Sequence, residues 1–369
     1  MNQIENKLYF STELLRWYQK ERRDLPWRRS RDPYHIWVSE IMLQQTRVDT
    51  VIPYFNRFVD RFPTLEHLAI APEEEVLKHW EGLGYYSRAR NLQSAVREVV
   101  EQYGGQVPNQ KKKVSSLKGI GPYTAGAILS IAYNQPEPAV DGNVMRVLSR
   151  YFCLEDDIAR PSTRAGMEIL AQGLIPEGEA ADFNQALMEL GAMVCTPKSP
   201  SCPSCPVMKL CLGRIEGREK ELPVKTKAKP PKLVLRVAAL VEGTGVNAGK
   251  VLVRQRPETG LLARMWELPH VEVQDKASWE LTSSGGKSIE SALAEEGIRI
   301  HANEHIGDAQ HVFTHLVWNI KVLAAVAEGE GYVEERTSYK WVGPVEFENY
   351  VWPNVFRKLL TEYFVREMI

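Results

Sequence analysis

Apolar residues recur at three- and four-residue intervals through the first half of the chain, the pattern of helices with one buried face. Nine stretches carry it: 8–19, 34–47, 50–61, 73–80, 88–102, 122–132, 143–153, 161–172 and 181–193. Breaks fall at Pro26, Pro33, Pro63, Pro72, Gly82/Gly84, Gly104–Gly105, Pro136/Pro138 and Pro176, residues that stop or start helices. Alternating strand patterns are scarce there, so residues 1–213 read as an all-α domain. The texture then changes. Residues 214–232 end in Pro223-Val-Lys-Thr-Lys-Ala-Lys-Pro-Pro-Lys232, basic and proline-rich, which predicts an extended linker. Beyond it 233–241, 250–254, 316–326 and 338–342 read as strands, and 286–296 and 353–367 as helices. Residues 233–369 are therefore expected to form an α+β domain.

Composition narrows the class. With 369 residues, 44% apolar and 25% charged, the chain suits two or three globular domains. No apolar run approaches the ~18–20 residues that cross a bilayer. Met1–Lys7 has neither a basic nor an apolar leader region, so the reading is a cytoplasmic protein with no export signal. The net charge of −1 conceals an asymmetry. Basic residues outnumber acidic ones by four over 1–232 and fall five short beyond, mild support for phosphate binding by the first part.

Three constellations carry chemistry. Cys195, Cys202, Cys205 and Cys211 lie in one short stretch, with Cys153 apart. In a reducing compartment such clustering favours a metal site over disulfides. Four thiolates suit tetrahedral zinc or an iron–sulfur cluster, and a single compact loop favours the cluster. Next, Leu117-Lys118-Gly119-Ile120-Gly121-Pro122-Tyr123 reads as a tight turn opening a helix, its two glycines allowing left-handed geometry and Pro122 suiting the first helical turn. Outward N–H groups there could cradle one phosphate, or the turn could simply join two helices with no ligand. Last are two carboxylates. Asp141, in Ala139-Val140-Asp141-Gly142-Asn143, sits where a helix N-cap belongs, and the positive helix end keeps it ionised. Glu40 stands alone among Trp37, Val38, Ile41, Met42 and Leu43. By itself it reads as a residue on an exposed stripe, whereas an apolar pocket would raise its pKa toward that of a general acid.

These features resemble the endonuclease III/MutY superfamily, and Ser39-Glu40-Ile41-Met42-Leu43-Gln44-Gln45-Thr46 resembles the signature of its MutY branch. The resemblance implies a multidomain protein: an all-α helix–hairpin–helix glycosylase fold with a 4Fe–4S cluster loop, plus a C-terminal α+β Nudix-like domain. Its first domain would comprise a six-helix module, about 26–133 with the hairpin at 111–132, and a cluster module from 1–25 and 134–213. One 4Fe–4S cluster would be held by the four clustered cysteines. The implied activity is monofunctional hydrolysis of adenine from A:8-oxoG or A:G pairs in double-stranded DNA, by a monomer with no membrane partner.

Roles follow residue by residue. Glu40 would protonate the departing adenine and Asp141 would face the sugar cation. Asn143 would hold a water or the carboxylate beside Asp141. Tyr123 occupies the position where strand-cleaving relatives carry a Schiff-base lysine, which implies hydrolysis without β-elimination. Trp27 and Arg28 would wall the adenine pocket, and Gln185 would face the base. Leu43, Gln44, Gln45 and Thr46 would enter the duplex, with Tyr85 as an intercalating ring. Gly119, Gly121 and Lys198 would meet the DNA backbone. Gly260-Leu261-Leu262-x-x-Met265-Trp266-Glu267-Leu268-Pro269 resembles the Nudix (MutT-like) fold, but 270–300 lacks the Arg-Glu metal signature, so no pyrophosphatase is expected. Phe313, Thr314 and His315 resemble the loop that inspects 8-oxoguanine, with Thr where the family has Ser. Two rival readings are a strand-cleaving enzyme for oxidised pyrimidines and a non-enzymatic, DNA-binding or redox-sensing cluster protein. Tyr123 opposes the first and the Glu40/Asp141 pair the second.

Overall fold

The computed structural model describes residues 3–274, 276–280, 282–328 and 338–367. The chain divides into two compact units, Met1–His79 with Ser87–Lys227, and Trp80–Tyr86 with Ala228–Ile369. Among the described residues no helix is long and apolar enough to cross a membrane.

The first unit is helical: α1 Gln3–Glu21, α2 Pro33–Leu43, α3 Val48–Arg61, α4 Leu65–Ile70, α5 Glu73–Trp80, α6 Ser87–Tyr103, α7 Lys111–Ser116 and α8 Pro122–Ala127. A π-helical turn, Ile128–Ala132, continues α8. Then come α9 Gly142–Tyr151, α10 Pro161–Gln172, α11 Ala180–Met193 and the single turn α12 Leu212–Ile215. Helix α2 is apolar on nearly every face and buries Tyr34 and Ile36 through Met42, as a helix at the centre of a core must. Phe10, Leu14 and Tyr18 of α1 meet Val144 and Leu148 of α9 and Phe183, Leu187 and Leu190 of α11 in one core. Cys195, Cys205 and Cys211 pack on its flank. Helix α8 comes close to the segment that leads to Asp141. A Cβ on Gly126 would stand 2.0 Å from the Pro138 carbonyl oxygen, so only glycine permits that approach.

The stretch after α12 is extended only in part, and much of it lies on the first unit. Leu222 is 1% exposed, and the Arg150 Nε donates to its carbonyl at 2.9 Å. Ile158 N donates to Val224 O at 3.0 Å, and Thr226 N donates to Asp157 at 3.1 Å.

In the second unit the strands are β1 Lys232–Glu242, β2 Val251–Gln255, β3 Trp266–Glu267, β4 His270–Val273, β5 Ile300–Val312, β6 Leu316–Ala327 and β7 Tyr339–Val342. They form a seven-stranded sheet in the order β3-β2-β1-β6-β5, with β4 on β1 and β7 on β2. Helices α13 Lys276–Glu280, α14 Thr282–Glu295, α15 Pro344–Phe347 and α16 Asn354–Glu367 complete it. Strand β1 runs parallel to β6, and β5 antiparallel to it. The near-continuous apolar run of β1 is buried on both faces. Val234, Ala238 and Leu240 meet Phe356 and Leu360 of α16; Val237, Ala239 and Val241 meet Ile289 and Leu293 of α14. Strand β5 is absent from the hydrophobic pattern, because most of its residues are partly or fully exposed and its backbone is fixed by pairing with β6 across two register shifts.

Candidate active site

A cleft of about 1160 Å³ opens in the first unit. Its lining brings together Glu40, Tyr123, Asp141, Asn143, Trp27, Arg28, Leu43, Gln44, Gln45, Thr46, Gln185 and Gly121. Gly119 and Lys198 do not line it, and Tyr85 and the 313–315 loop belong to the second unit.

Glu40 is not on an exposed stripe. It is 4% exposed, because α2 is buried all round. Burial pushes its pKa up to about 7, the Tyr123 hydrogen bond pulls it down, and the charge of Asp141 pushes it up again. The Tyr123 hydroxyl donates to Glu40 Oε2 at 2.5 Å, and Met188 Sδ lies 3.3 Å from that hydroxyl. Asp141 caps α9, accepting from Val144 N at 2.8 Å and from the Asn143 amide at 2.7 Å. Burial raises its pKa, so the helix end limits the rise rather than depressing the value, with the Val144 N–H, the Asn143 amide and Arg146 pulling the other way. Asp141 thus has two hydrogen-bond donors stabilising its anion where Glu40 has one hydroxyl.

Several supporting residues escaped the sequence reading. Glu189, on α11, is 1% exposed and binds Arg23 Nη2 at 2.7 Å and Arg28 Nη2 at 2.9 Å. Burial would raise its pKa, but these arginines hold it at about 2. Arg28 is therefore pinned in the wall, with its guanidinium 5.6 Å from the Tyr18 ring centre. A lone acid in Ala-Leu-Met-Glu-Leu-Gly was the available signal, the same one that singled out Glu40. Arg146 and Arg150 lie one turn apart on α9. Arg146 Nη2 donates to Asn143 Oδ1 at 2.8 Å and its Nε to Cys195 O at 2.8 Å. Trp27 is buried edge-on against Phe55, ring centres 5.4 Å apart. Gln44 Nε2 reaches Thr124 Oγ1 at 3.4 Å, while Gln45 is exposed with a left-handed φ of 60°. One arginine sets this turn: Arg88 Nη1 donates to the carbonyls of Ile41, Met42 and Gln44 at 2.7, 3.1 and 2.6 Å.

In the hairpin between α7 and α8 only Gly119 is left-handed (φ 81°). Gly121 is the extended N-cap of α8, φ −94° and ψ 177°, with Pro122 in the first turn. Both glycines are exposed, as is Lys198.

The four clustered thiols line one small pocket with Val194, Met208, Arg150 and Arg214. Among the described residues no group of three is placed to hold a single metal ion, yet four sulfurs around one space are the donor set of a larger thiophilic cluster. Burial, with the neighbouring sulfurs, pushes Cys205 up to about 12, so a bound cationic core would be needed to draw its proton away. Arg150, 2% exposed, donates to Cys195 Sγ at 3.3 Å and would offset thiolate charge. Cys153 stands apart, φ 51°, its thiol 3.2 Å from Glu216 Oε2.

In the second unit Phe313, Thr314 and His315 form the tip of the β5–β6 hairpin, closed by Phe313 N donating to Leu316 O at 2.8 Å. The Phe313 ring packs on Trp318 and His311, at 4.8 and 4.5 Å between ring centres. Thr314 and His315 are exposed. Tyr85, left-handed at φ 47°, puts its hydroxyl 3.3 Å from Thr314 Oγ1.

Residues 38–172 match the HhH-GPD superfamily of base excision DNA repair proteins, and residues 243–362 match the NUDIX domain. The adenine DNA glycosylase of Rattus norvegicus is 36% identical over 96% of this chain and 78% of its own length. Among solved structures, a thermostable thymine-DNA glycosylase superposes with TM-score 0.54 at 32% identity, covering 58% of this chain and 98% of that one. A trapped endonuclease III–DNA covalent intermediate superposes at 0.50 with 25% identity, covering 60% of this chain and 99% of that one.

Proposed function

The chain belongs to the adenine DNA glycosylases, base excision repair enzymes that hydrolyse N-glycosyl bonds in DNA, and on that premise we propose that it removes adenine paired with 8-oxoguanine or guanine. The observation that carries this reading is the pair of carboxylates in one cleft, one protonated near neutrality and the other capped by donors. The target nucleotide leaves the stack and enters the cleft, since the bond is unreachable inside a duplex. Glu40 then gives its proton to adenine N7, and the C1′–N9 bond breaks with its electrons passing to the base. Asp141 remains ionised and faces the oxocarbenium ion. Water adds to C1′ and returns its proton to Glu40. Tyr123 has no amine, so the sugar is not captured as an imine.

Cys195, Cys202, Cys205 and Cys211 would hold one 4Fe–4S cluster, which when bound supplies cross-links that fix the 195–211 loop. Gly119, Gly121 and Lys198 would bind backbone phosphates. Gln44, Gln45, Thr46 and Tyr85 would fill the vacated space in the duplex. Thr314 and His315 would read the opposite base, with Phe313 as their prop. The substrate is chromosomal DNA in the cytoplasm, and the enzyme works as a monomer. The test is base release from duplexes bearing A:8-oxoG, A:G, A:T and thymine glycol, with and without hot alkali. Alkali-dependent breaks confined to the first two support the reading; breaks without alkali, or at thymine glycol, overturn it.

A further inference from the structure

A second cavity of about 430 Å³ lies within the first unit, bordered by the Arg22–Arg31 loop and the start of α11. Its size falls within the ~300–1,000 Å³ of small-molecule pockets. It shares four lining residues with the reaction cleft, Arg23, Arg28, Ile131 and Gln185. One layer of side chains therefore divides the two spaces. That layer is unevenly fixed. Arg23 and Arg28 are both anchored on Glu189, and Ile131 is buried in the π-helical turn. Gln185 is half-buried, and its amide donates to Ala181 O of its own helix at 3.2 Å. Rotation about its side-chain torsions needs no backbone movement and breaks only that bond.

The far side of the partition mixes charges. Arg22 and Arg31 are exposed on the loop, Arg29 is tied to Asp24 at 2.7 Å, and Asp182 stands on α11. Guanidinium planes stack on flat rings, and carboxylates accept from exocyclic amines. Such a lining offers both stacking faces and hydrogen-bonding groups to a planar heterocycle with donors and acceptors. On the reaction proposed above, DNA covers the mouth through which the nucleotide entered, and it still covers that mouth when the base has been freed.

We infer that the second cavity is the exit for the freed purine base, with Gln185 as the gate. This rests on the adenine-excision reading and adds a path to it. The experiment uses full-length enzyme in excess over an A:8-oxoG duplex carrying radiolabelled adenine. Aliquots quenched in hot alkali report bond cleavage. Parallel aliquots passed through nitrocellulose, which retains the protein–DNA complex, report adenine that has left. The parent should release adenine at the rate of cleavage while product DNA stays on the filter. Ser30→Trp and, separately, Arg31→Trp place an indole at the exposed rim, away from the reacting groups. Each should cleave within twofold of the parent but delay adenine at least tenfold, to the pace of DNA release. Adenine retained with the DNA in the parent overturns the exit, as does unhindered adenine in both plugged variants. A parent that cleaves nothing overturns the excision reading itself, a distinguishable result.

Discussion

At Glu40 the site trades stability for chemistry. Displacement of its pKa from 4.5 to about 7 by burial corresponds to about 3 kcal/mol. Below pH 4.5 the carboxyl is protonated in folded and unfolded states alike and the cost is absent. As pH rises to about 7 the unfolded chain ionises first, so the cost grows and then levels off. Glu40→Gln should therefore be more stable than the parent by about 2–3 kcal/mol at pH 8 and by little at pH 4, read from urea denaturation. The same variant should bind DNA and excise nothing measurable. In the parent, excision should follow a bell: it rises as the carboxylate pair loses its first proton and falls above pH about 7 as Glu40 loses the second. A flat profile between pH 6 and 9 would remove Glu40 as the acid. Asp141→Asn keeps the cap geometry but not the charge, and single-turnover excision should drop on the order of 10³-fold. A loss under tenfold would end that assignment.

At the scale of elements, two contacts deliver the reacting groups. Helix α8 meets the Pro138–Ala139 backbone at Gly126, and the cysteine loop is held by Arg150 on α9. Gly126→Ala forces a carbonyl away from 2.0 Å and so shifts the irregular segment that ends in Asp141. Overpacking of this kind costs about 1–3 kcal/mol, and excision should fall at least tenfold while Gly166→Ala, which meets nothing within 4 Å in α10, should be neutral or slightly stabilising. Equal stability of the two variants would contradict the contact. The loop should bring iron: purified protein should be brown with about four irons per chain, and Cys153→Ser should keep them all. Stoichiometric zinc without iron would refute the cluster.

At the scale of the molecule, the assigned bond-breaking residues all lie in the first unit and Thr314 and His315 in the second. The natural cut is after Lys227. A cut at Lys220 would strip away Leu222, Val224 and Thr226, whose backbones bond to the first unit. Protein ending at Lys227 should still excise adenine from A:G. Its preference for A:8-oxoG should shrink by roughly 10–100-fold, the worth of one or two polar contacts at about 1–3 kcal/mol each. Full preference in the truncated protein would move lesion reading to Gln45, Thr46 and their neighbours.

The sequence alone determined the helical first half, the α+β second half and the clustering of the thiols, because each is written in local periodicity or short spacing, whereas the two carboxylates were singled out by the family resemblance. Strand β5 was hidden because its exposed, weakly alternating residues adopt their form only beside β6. The cap role of Asp141 was legible, but the net effect of its burial was not. Glu40 could not be assigned to core or surface from α2, since the hydroxyl that meets it comes from 83 positions away. Arg23 and Glu189 meet across 166 positions, and Tyr85 meets Thr314 across 229. Tertiary structure decided these matters because desolvation, hydrogen bonding and charge act through space. A one-dimensional pattern records which face of an element is apolar, and not which side chain will stand opposite it.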